Sequence, residues 1–291
     1  METLAGRALP ASVPVGEAWE LVDRADAQSV VAGGHWSGRT LGELWRSERA
    51  RCFGGVAGPD QFPLLIKILD AEETLSVQVH PPVGLAAELG GEPKTEMWYL
   101  LDARPGGHLY AGLRRGVGRE EFRAALGAGT VEQTLHRIEV QAGDAMFIPS
   151  GRVHAIGAGC RILEVQQNSD TTYRVFDWNR TGLDGNPRAL HIEQSLRCIN
   201  FDDPEPALAA PGADGTVVEC PHFRVERIEV RESADLLRNA PWTVGFVLAG
   251  DIGSGSERFV RGETFLIPSG AAGVRFQADG PDGAQILRIT G

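Results

Sequence analysis

The chain has 291 residues, 42% of them hydrophobic and 23% charged, and carries a net charge of −11. That length allows two domains with sizeable cores, and the composition is that of an ordinary globular protein. The acidic balance leaves no basic stripe to displace counterions from nucleic acid, so a phosphate ligand would need a locally basic site. Cys52, Cys160, Cys198 and Cys220 form no Cys-x-x-Cys pair and read as reduced residues, not as a disulfide or zinc-knuckle framework. Met1 to Gly16 lacks the basic start and apolar core of a signal peptide, and no apolar run approaches the roughly 20 residues that span a bilayer. The expected location is the cytoplasm. With 37 Gly and 17 Pro among many short apolar runs, the expected fold is mainly β.

In chain order, residues 1–60 read as irregular, with Glu17 to Val22 a strand or a helical turn and Thr40 to Trp45 a short helix capped by Thr40. Phe62 to Asp70 is apolar enough for a strand buried on both sides, interrupted by Lys67. That lysine either reaches a polar cavity or snorkels to a rim. In Leu75 to Pro82, strict alternation puts Ser76, Gln78 and His80 on one strand face, which is either solvated or the lining of a cavity. Pro81-Pro82 ends that strand at His80. The next strand, Lys94 to Leu101, opens with Lys94 and Glu96 on one face. Arg119 to Leu126 reads as a short solvated helix. Gly143-Asp144 is a turn, Ala145 to Ile148 a strand, Pro149-Ser150-Gly151 a second turn and Ile162 to Gln166 a returning strand. His154, just past the second turn, is thereby fixed where a barrel strand would aim it inward.

Gln78, His80, Glu96 and His154 thus form a set of nitrogen and oxygen donors at or near strand ends, suited to Zn²⁺ or a similar divalent ion with one position left for water or substrate. The spacing from Gly143 through Pro149-x-Gly151 to His154 resembles the second motif of the cupin superfamily, whose small β-barrels hold a metal. Taken together, Ser76-Val-Gln-Val-His-Pro, Lys94-Thr-Glu-Met-Trp-Tyr, Pro149-Ser-Gly-Arg-Val-His-Ala and Tyr173-Arg-Val-Phe-Asp-Trp-Asn-Arg180 resemble type I mannose-6-phosphate isomerase (phosphomannose isomerase), in its shorter bacterial form. The likeness runs from about Gly16 to about Ile199. It implies one zinc per chain on Gln78, His80, Glu96 and His154, a catalytic Arg174, and Ser76 and Lys94 as active-site residues facing the substrate. Pro82 departs from the pattern, which often has an acidic residue after the first Pro.

The chemistry implied interconverts mannose 6-phosphate and fructose 6-phosphate through an enediol or enediolate. A divalent ion can act there as a Lewis acid, and Arg174, which never deprotonates at working pH, as fixed positive charge. The base and the phosphate-binding residues are not specified, since no Gly-rich phosphate loop is present. The resemblance further implies a small sugar phosphate as partner, with no nucleic acid or membrane, for a monomer or homodimer. A different metal-dependent cupin enzyme, an oxygenase or another sugar-phosphate isomerase, shares the barrel and ligands but not the four motifs. A non-catalytic sugar-binding cupin would require a metal-free site.

Beyond the fourth motif, His191 to Arg197 reads as a short helix with His191 a surface or capping residue. Pro204 to Gly215 has linker composition. Gly262 to Gly273 repeats the turn residues of Gly143 to His154, with Gly273 where His154 stands. Two cupin-like jelly-roll barrels are therefore expected: a catalytic domain over 1–203, a linker over 204–215, and a smaller barrel over 216–291 without metal ligands.

Overall fold

The structure, a computed structural model, describes residues 15–181 and 185–291. Most of the Met1–Gly16 stretch, in which no signal peptide is expected, lies outside them. The fold is mainly β, as the alternating runs and turn residues predict. No helix among the described residues is long and apolar enough to cross a membrane.

Nineteen strands occur among the described residues. The first ten are β1 (Glu17–Leu21), β2 (Leu64–Ala71), β3 (Val77–Val79), β4 (Glu96–Ala103), β5 (His108–Leu113), β6 (Leu135–Glu139), β7 (Ala145–Ile148), β8 (His154–Ile156), β9 (Cys160–Gln167) and β10 (Tyr173–Phe176). The rest are β11 (Thr216–Glu219), β12 (Arg224–Val230), β13 (Ser233–Ala234), β14 (Thr243–Ala249), β15 (Asp251–Ser254), β16 (Glu257–Phe259), β17 (Thr264–Ile267), β18 (Phe276–Asp279) and β19 (Ala284–Thr290).

The chain forms two compact units, one of residues up to Lys67 together with Ala210–Gly291, the other of Ile68–Ala209. The division is discontinuous, whereas the sequence suggested 1–203 and 216–291. Aromatic packing within the first unit accounts for this. Trp45, Phe53 and Phe62 form edge-on and tilted pairs, and Phe62 meets Trp242 at 4.9 Å between ring centroids. Early and late segments thus share one core. The helix Leu41–Ser47 carries the predicted Thr40 cap, in a reciprocal box with Glu43. Lys67 is buried with its ammonium 4.4 Å from the Trp19 ring centroid and 3.9 Å from the Glu17 carboxylate. It therefore lines no metal cavity.

In the Ile68–Ala209 unit, strands β2, β9, β4 and β7 lie side by side in that order, and a second sheet runs β10-β3-β8-β5-β6. Register decides what faces the space between the sheets. Across β4 and β9, Leu100 pairs with Ile162, Trp98 with Glu164 and Glu96 with Gln166. Across β5 and β8, Leu109 pairs with Ile156 and Ala111 with His154. Because side chains alternate, these share the inner face. Its apolar members, among them Trp98, Leu100, Leu109, Ile156 and Ile162, fill one end as a core, and its polar members gather at the other. On β3, Val77 and Val79 turn to the outer core with Phe122 and Leu196, from the helices Arg119–Ala128 and Ile192–Cys198. Gln78 consequently points inward, opposite His154. The polar face of that strand lines a cavity.

Strands β11-β12-β19-β14-β17 and β13-β18-β15-β16 form two sheets around a core that includes Ile228, Val247, Phe265, Phe276 and Ile286. The repeat is half kept. Gly143 and Gly262 both take positive φ, 92° and 88°, before equivalent strands β7 and β17. At the second turn Gly151 has φ 88°, whereas Gly270 sits in the 3-10 turn Ser269–Ala271 without positive φ.

Candidate metal centre

His80 follows β3, Glu96 opens β4 and His154 opens β8, so three strand ends converge. Their donor atoms all lie within 4.8 Å of one another, and all three residues are buried. His80 Nε2 is 3.3 Å from Glu96 Oε2, and His154 Nε2 is 3.6 Å from Glu96 Oε1. The second turn holds this register, with Gly151 N donating to the His80 carbonyl. Among the described residues no other group of three or more His, Cys, Asp and Glu side chains converges in this way.

The imidazole tautomers follow from their outer partners. His80 Nδ1 lies 3.0 Å from the Thr171 carbonyl and His154 Nδ1 2.8 Å from the Arg152 carbonyl. A carbonyl only accepts, so each Nδ1 carries the hydrogen. Burial pushes both rings toward the neutral form, His154 down to about 3, and the neighbouring Lys94 charge adds to this at His80. Each neutral ring therefore turns an Nε2 lone pair inward. Burial alone would raise the Glu96 carboxyl, but the Lys94 ammonium holds it well below the usual carboxylate range. Two lone pairs thus face a carboxylate. His80 Nε2 is buried with no hydrogen-bond partner, an arrangement costly for a protein alone and appropriate to a cation. Spacings of 3.3 and 3.6 Å match those of neighbouring ligands on one tetrahedral ion, about 3.4 Å for bonds near 2.1 Å. The residues fit a divalent metal.

Lys94 is buried with Nζ 2.8 Å from Glu96 Oε2 and 3.7 Å from Glu164 Oε1. Burial pulls its ammonium down, but Glu164 and Glu96 outweigh burial and keep it charged. Glu164 accepts from Trp98 Nε1 at 2.9 Å, which fixes its orientation. The sequence reading passed over Glu164. The available signal was a charge inside the apolar run Ile162 to Val165, the same signal that singled out Lys67.

Beside His154 on the inner face are Gln78 and, next in register, Arg174 on β10. Ser76 Oγ joins them, receiving Gln78 Nε2 at 3.0 Å and Arg174 Nε at 3.2 Å. Arg174 is half-buried, and Nη1 also donates to the Ala189 carbonyl at 3.1 Å. Near it, Arg180 and Arg188 flank Asp177, giving the locally basic margin that an acidic chain would need for an anionic ligand. His191 stands at the N-cap position of Ile192–Cys198 yet makes no side-chain cap. Its Nδ1 accepts from the Arg174 main chain at 3.2 Å.

A family profile described as phosphomannose isomerase type I, catalytic domain, matches residues 1–102. The mannose-6-phosphate isomerase of Streptococcus mutans is 39% identical over 278 residues, covering 92% of this chain and 87% of that protein. The crystal structure of the mannose 6-phosphate isomerase from Bacillus subtilis superposes with a TM-score of 0.85 at 30% identity, covering 100% of this chain and 93% of that one. A more distant mannose 6-phosphate isomerase, bound with zinc and yttrium, shares the fold at a TM-score of 0.74 and 19% identity, over 99% of this chain and 94% of that one. Four motifs in order, a two-sheet barrel with a His-Glu-His cluster at one end and close relatives along nearly the whole chain establish that this chain belongs to the type I mannose-6-phosphate isomerase (phosphomannose isomerase) family.

Proposed function

We propose that this chain interconverts mannose 6-phosphate and fructose 6-phosphate with one Zn²⁺ held by His80, Glu96 and His154, and by Gln78 as a fourth donor. The observation that carries the reading is the inward turn of two imidazole lone pairs onto a buried carboxylate. When bound, the ion supplies Lewis acidity toward substrate oxygens.

The isomerisation takes a proton from C2, delivers one to C1 and passes through an enediolate, whose oxygen carries developing negative charge. Arg174 contributes fixed positive charge for that oxygen. Its planar guanidinium is aimed by Ser76 Oγ and the Ala189 carbonyl, so little reorganisation is needed during reaction. Lys94 supplies a second fixed charge, buried and held by Glu96 and Glu164, and with Ser76 it orients substrate oxygens. Catalysis is assigned to the Ile68–Ala209 barrel, and the 216–291 sandwich is assigned packing. Cytoplasmic location and a monomer or homodimer are proposed on the family resemblance.

The experiment is a coupled assay for fructose 6-phosphate formation from mannose 6-phosphate by the zinc-loaded full chain. Turnover is expected. Bound iron or copper without isomerase activity would instead favour another cupin chemistry.

A further inference from the structure

Arg174 lies on β10, the edge strand of its sheet, where main-chain N–H and C=O groups facing away from the neighbour must find other partners. One residue supplies both. His191 Nδ1 accepts from Arg174 N at 3.2 Å, and His191 N donates to Arg174 O at 2.7 Å. The ring packs against Tyr173 at 5.9 Å between centroids. Two residues earlier on the same strap, the Ala189 carbonyl accepts from Arg174 Nη1. Arg188 forks onto Asp177 through Nε at 2.7 Å and Nη2 at 2.5 Å. Segment Arg188–His191 thus grips β10 at its main chain and at the Arg174 guanidinium, and holds Asp177 just past its end.

His191 occupies the N-cap position of Ile192–Cys198, but its ring makes no capping bond, so starting that helix does not account for it. A main-chain N–H can only donate, so Nδ1 must carry the lone pair and Nε2 the hydrogen. That is the reverse of His80 and His154, whose Nδ1 atoms face carbonyls.

We propose that His191 is a positioning residue for catalysis, fixing β10 through its Nδ1 so that the Arg174 guanidinium stays aimed at the metal site. The proposal rests on the reading of Arg174 as the residue that stabilises the enediolate. Without the acceptor, an unsatisfied N–H remains at the sheet edge and the strap loses its fixed point at Arg174, so the guanidinium drifts. Small misplacements of a catalytic group can cost up to about a hundredfold in rate.

The test compares His191→Ala, His191→Asn and Arg174→Lys in the zinc-loaded full chain, by kcat and KM for mannose 6-phosphate, metal content and Tm. Asn places Oδ1 near the position of Nδ1 and can accept the same N–H. His191→Ala is expected to lower kcat about tenfold or more with wild-type metal content, and His191→Asn to return kcat to within about threefold of wild type. Selective ¹⁵N labelling of the seven histidines, assigned by loss of one signal in His191→Asn, should show His191 as the Nε2–H tautomer. Wild-type kcat in His191→Ala, no recovery in His191→Asn, or an Nδ1–H tautomer would each overturn the proposal. Arg174→Lys separates the two levels: lowered kcat there with wild-type kcat in His191→Ala removes only the role of His191. Unchanged kcat in Arg174→Lys removes the reading of Arg174, and the proposal with it.

Discussion

Replacing Lys94 by Met removes the buried cation between two carboxylates while keeping most of the side-chain volume. At an effective dielectric constant near 20, the contacts of 2.8 Å to Glu96 and 3.7 Å to Glu164 represent gross attractions of about 6 and 4 kcal/mol. Desolvation offsets much of this, and breaking a buried ionic cluster typically costs about 3–5 kcal/mol because the abandoned charges stay buried. For a domain of this size that is a fall in Tm of roughly 6–20 °C in metal-free protein. The local charge from Lys94, Glu96 and Glu164 goes from one negative to two, so a divalent cation should be held more tightly. Zinc should therefore raise the Tm of Lys94→Met by more than it raises that of the wild type. Thermal unfolding near pH 7.5, with chelator and with excess zinc, gives both quantities. Lys94 is held charged and Glu96 ionised there, so both carboxylates need compensation. A metal-free Lys94→Met as stable as wild type, or an equal gain from zinc in both proteins, would refute the reasoning.

Arg174→Lys keeps the charge but loses the planar fork between Ser76 and Ala189, so kcat should fall while metal content and Tm stay near wild type; an unchanged kcat would move the role elsewhere. Burial raises the Asp177 carboxyl, but the hydrogen bonds from Arg188 and Arg180 outweigh it and hold the group low. A depressed folded value means that its stabilisation is present above about pH 4 and is lost as pH falls through that value, so Asp177→Asn should flatten the acid limb of a pH–stability curve; an unaltered limb would contradict this. Gly245→Ala would bring a Cβ to 2.3 Å from the Phe265 ring, and should destabilise by about 1–3 kcal/mol in denaturant titrations, with Phe265→Leu relieving much of it.

The polar end of the inner face was legible because alternation on β3, the opening of β4 with Lys94 and Glu96 on one face, and the fixed turn before β8 constrain His80, Glu96 and His154 through local geometry. Gln78 was legible for the same reason. Glu164 was not, since its environment comes from the Trp98 register across strands, which no local pattern encodes. His191 read as a surface or capping residue because its partner lies seventeen residues away and the contact uses a ring nitrogen that the helix leaves free. The compact units divide the chain differently from the expected domain limits for a similar reason. The aromatic cluster of Trp45, Phe62 and Trp242 joins segments far apart in sequence, while linker-like composition at 204–215 says nothing of such packing. The repeat at Gly262 predicted a strand after a tight turn, which is found, but a shared Pro-Ser-Gly did not imply the same second turn.

His80, Glu96 and His154 are proposed to hold one divalent ion on which isomerisation depends. The most direct measurement is to strip the full chain of metal, titrate zinc back, and follow bound metal and fructose 6-phosphate formation together, for the wild type and for His154→Ala. The stripped protein should be inactive, recovery should saturate at one zinc per chain, and His154→Ala should hold well below one metal under the same conditions. Full activity in rigorously metal-free protein, or an undiminished single zinc in His154→Ala, would contradict this.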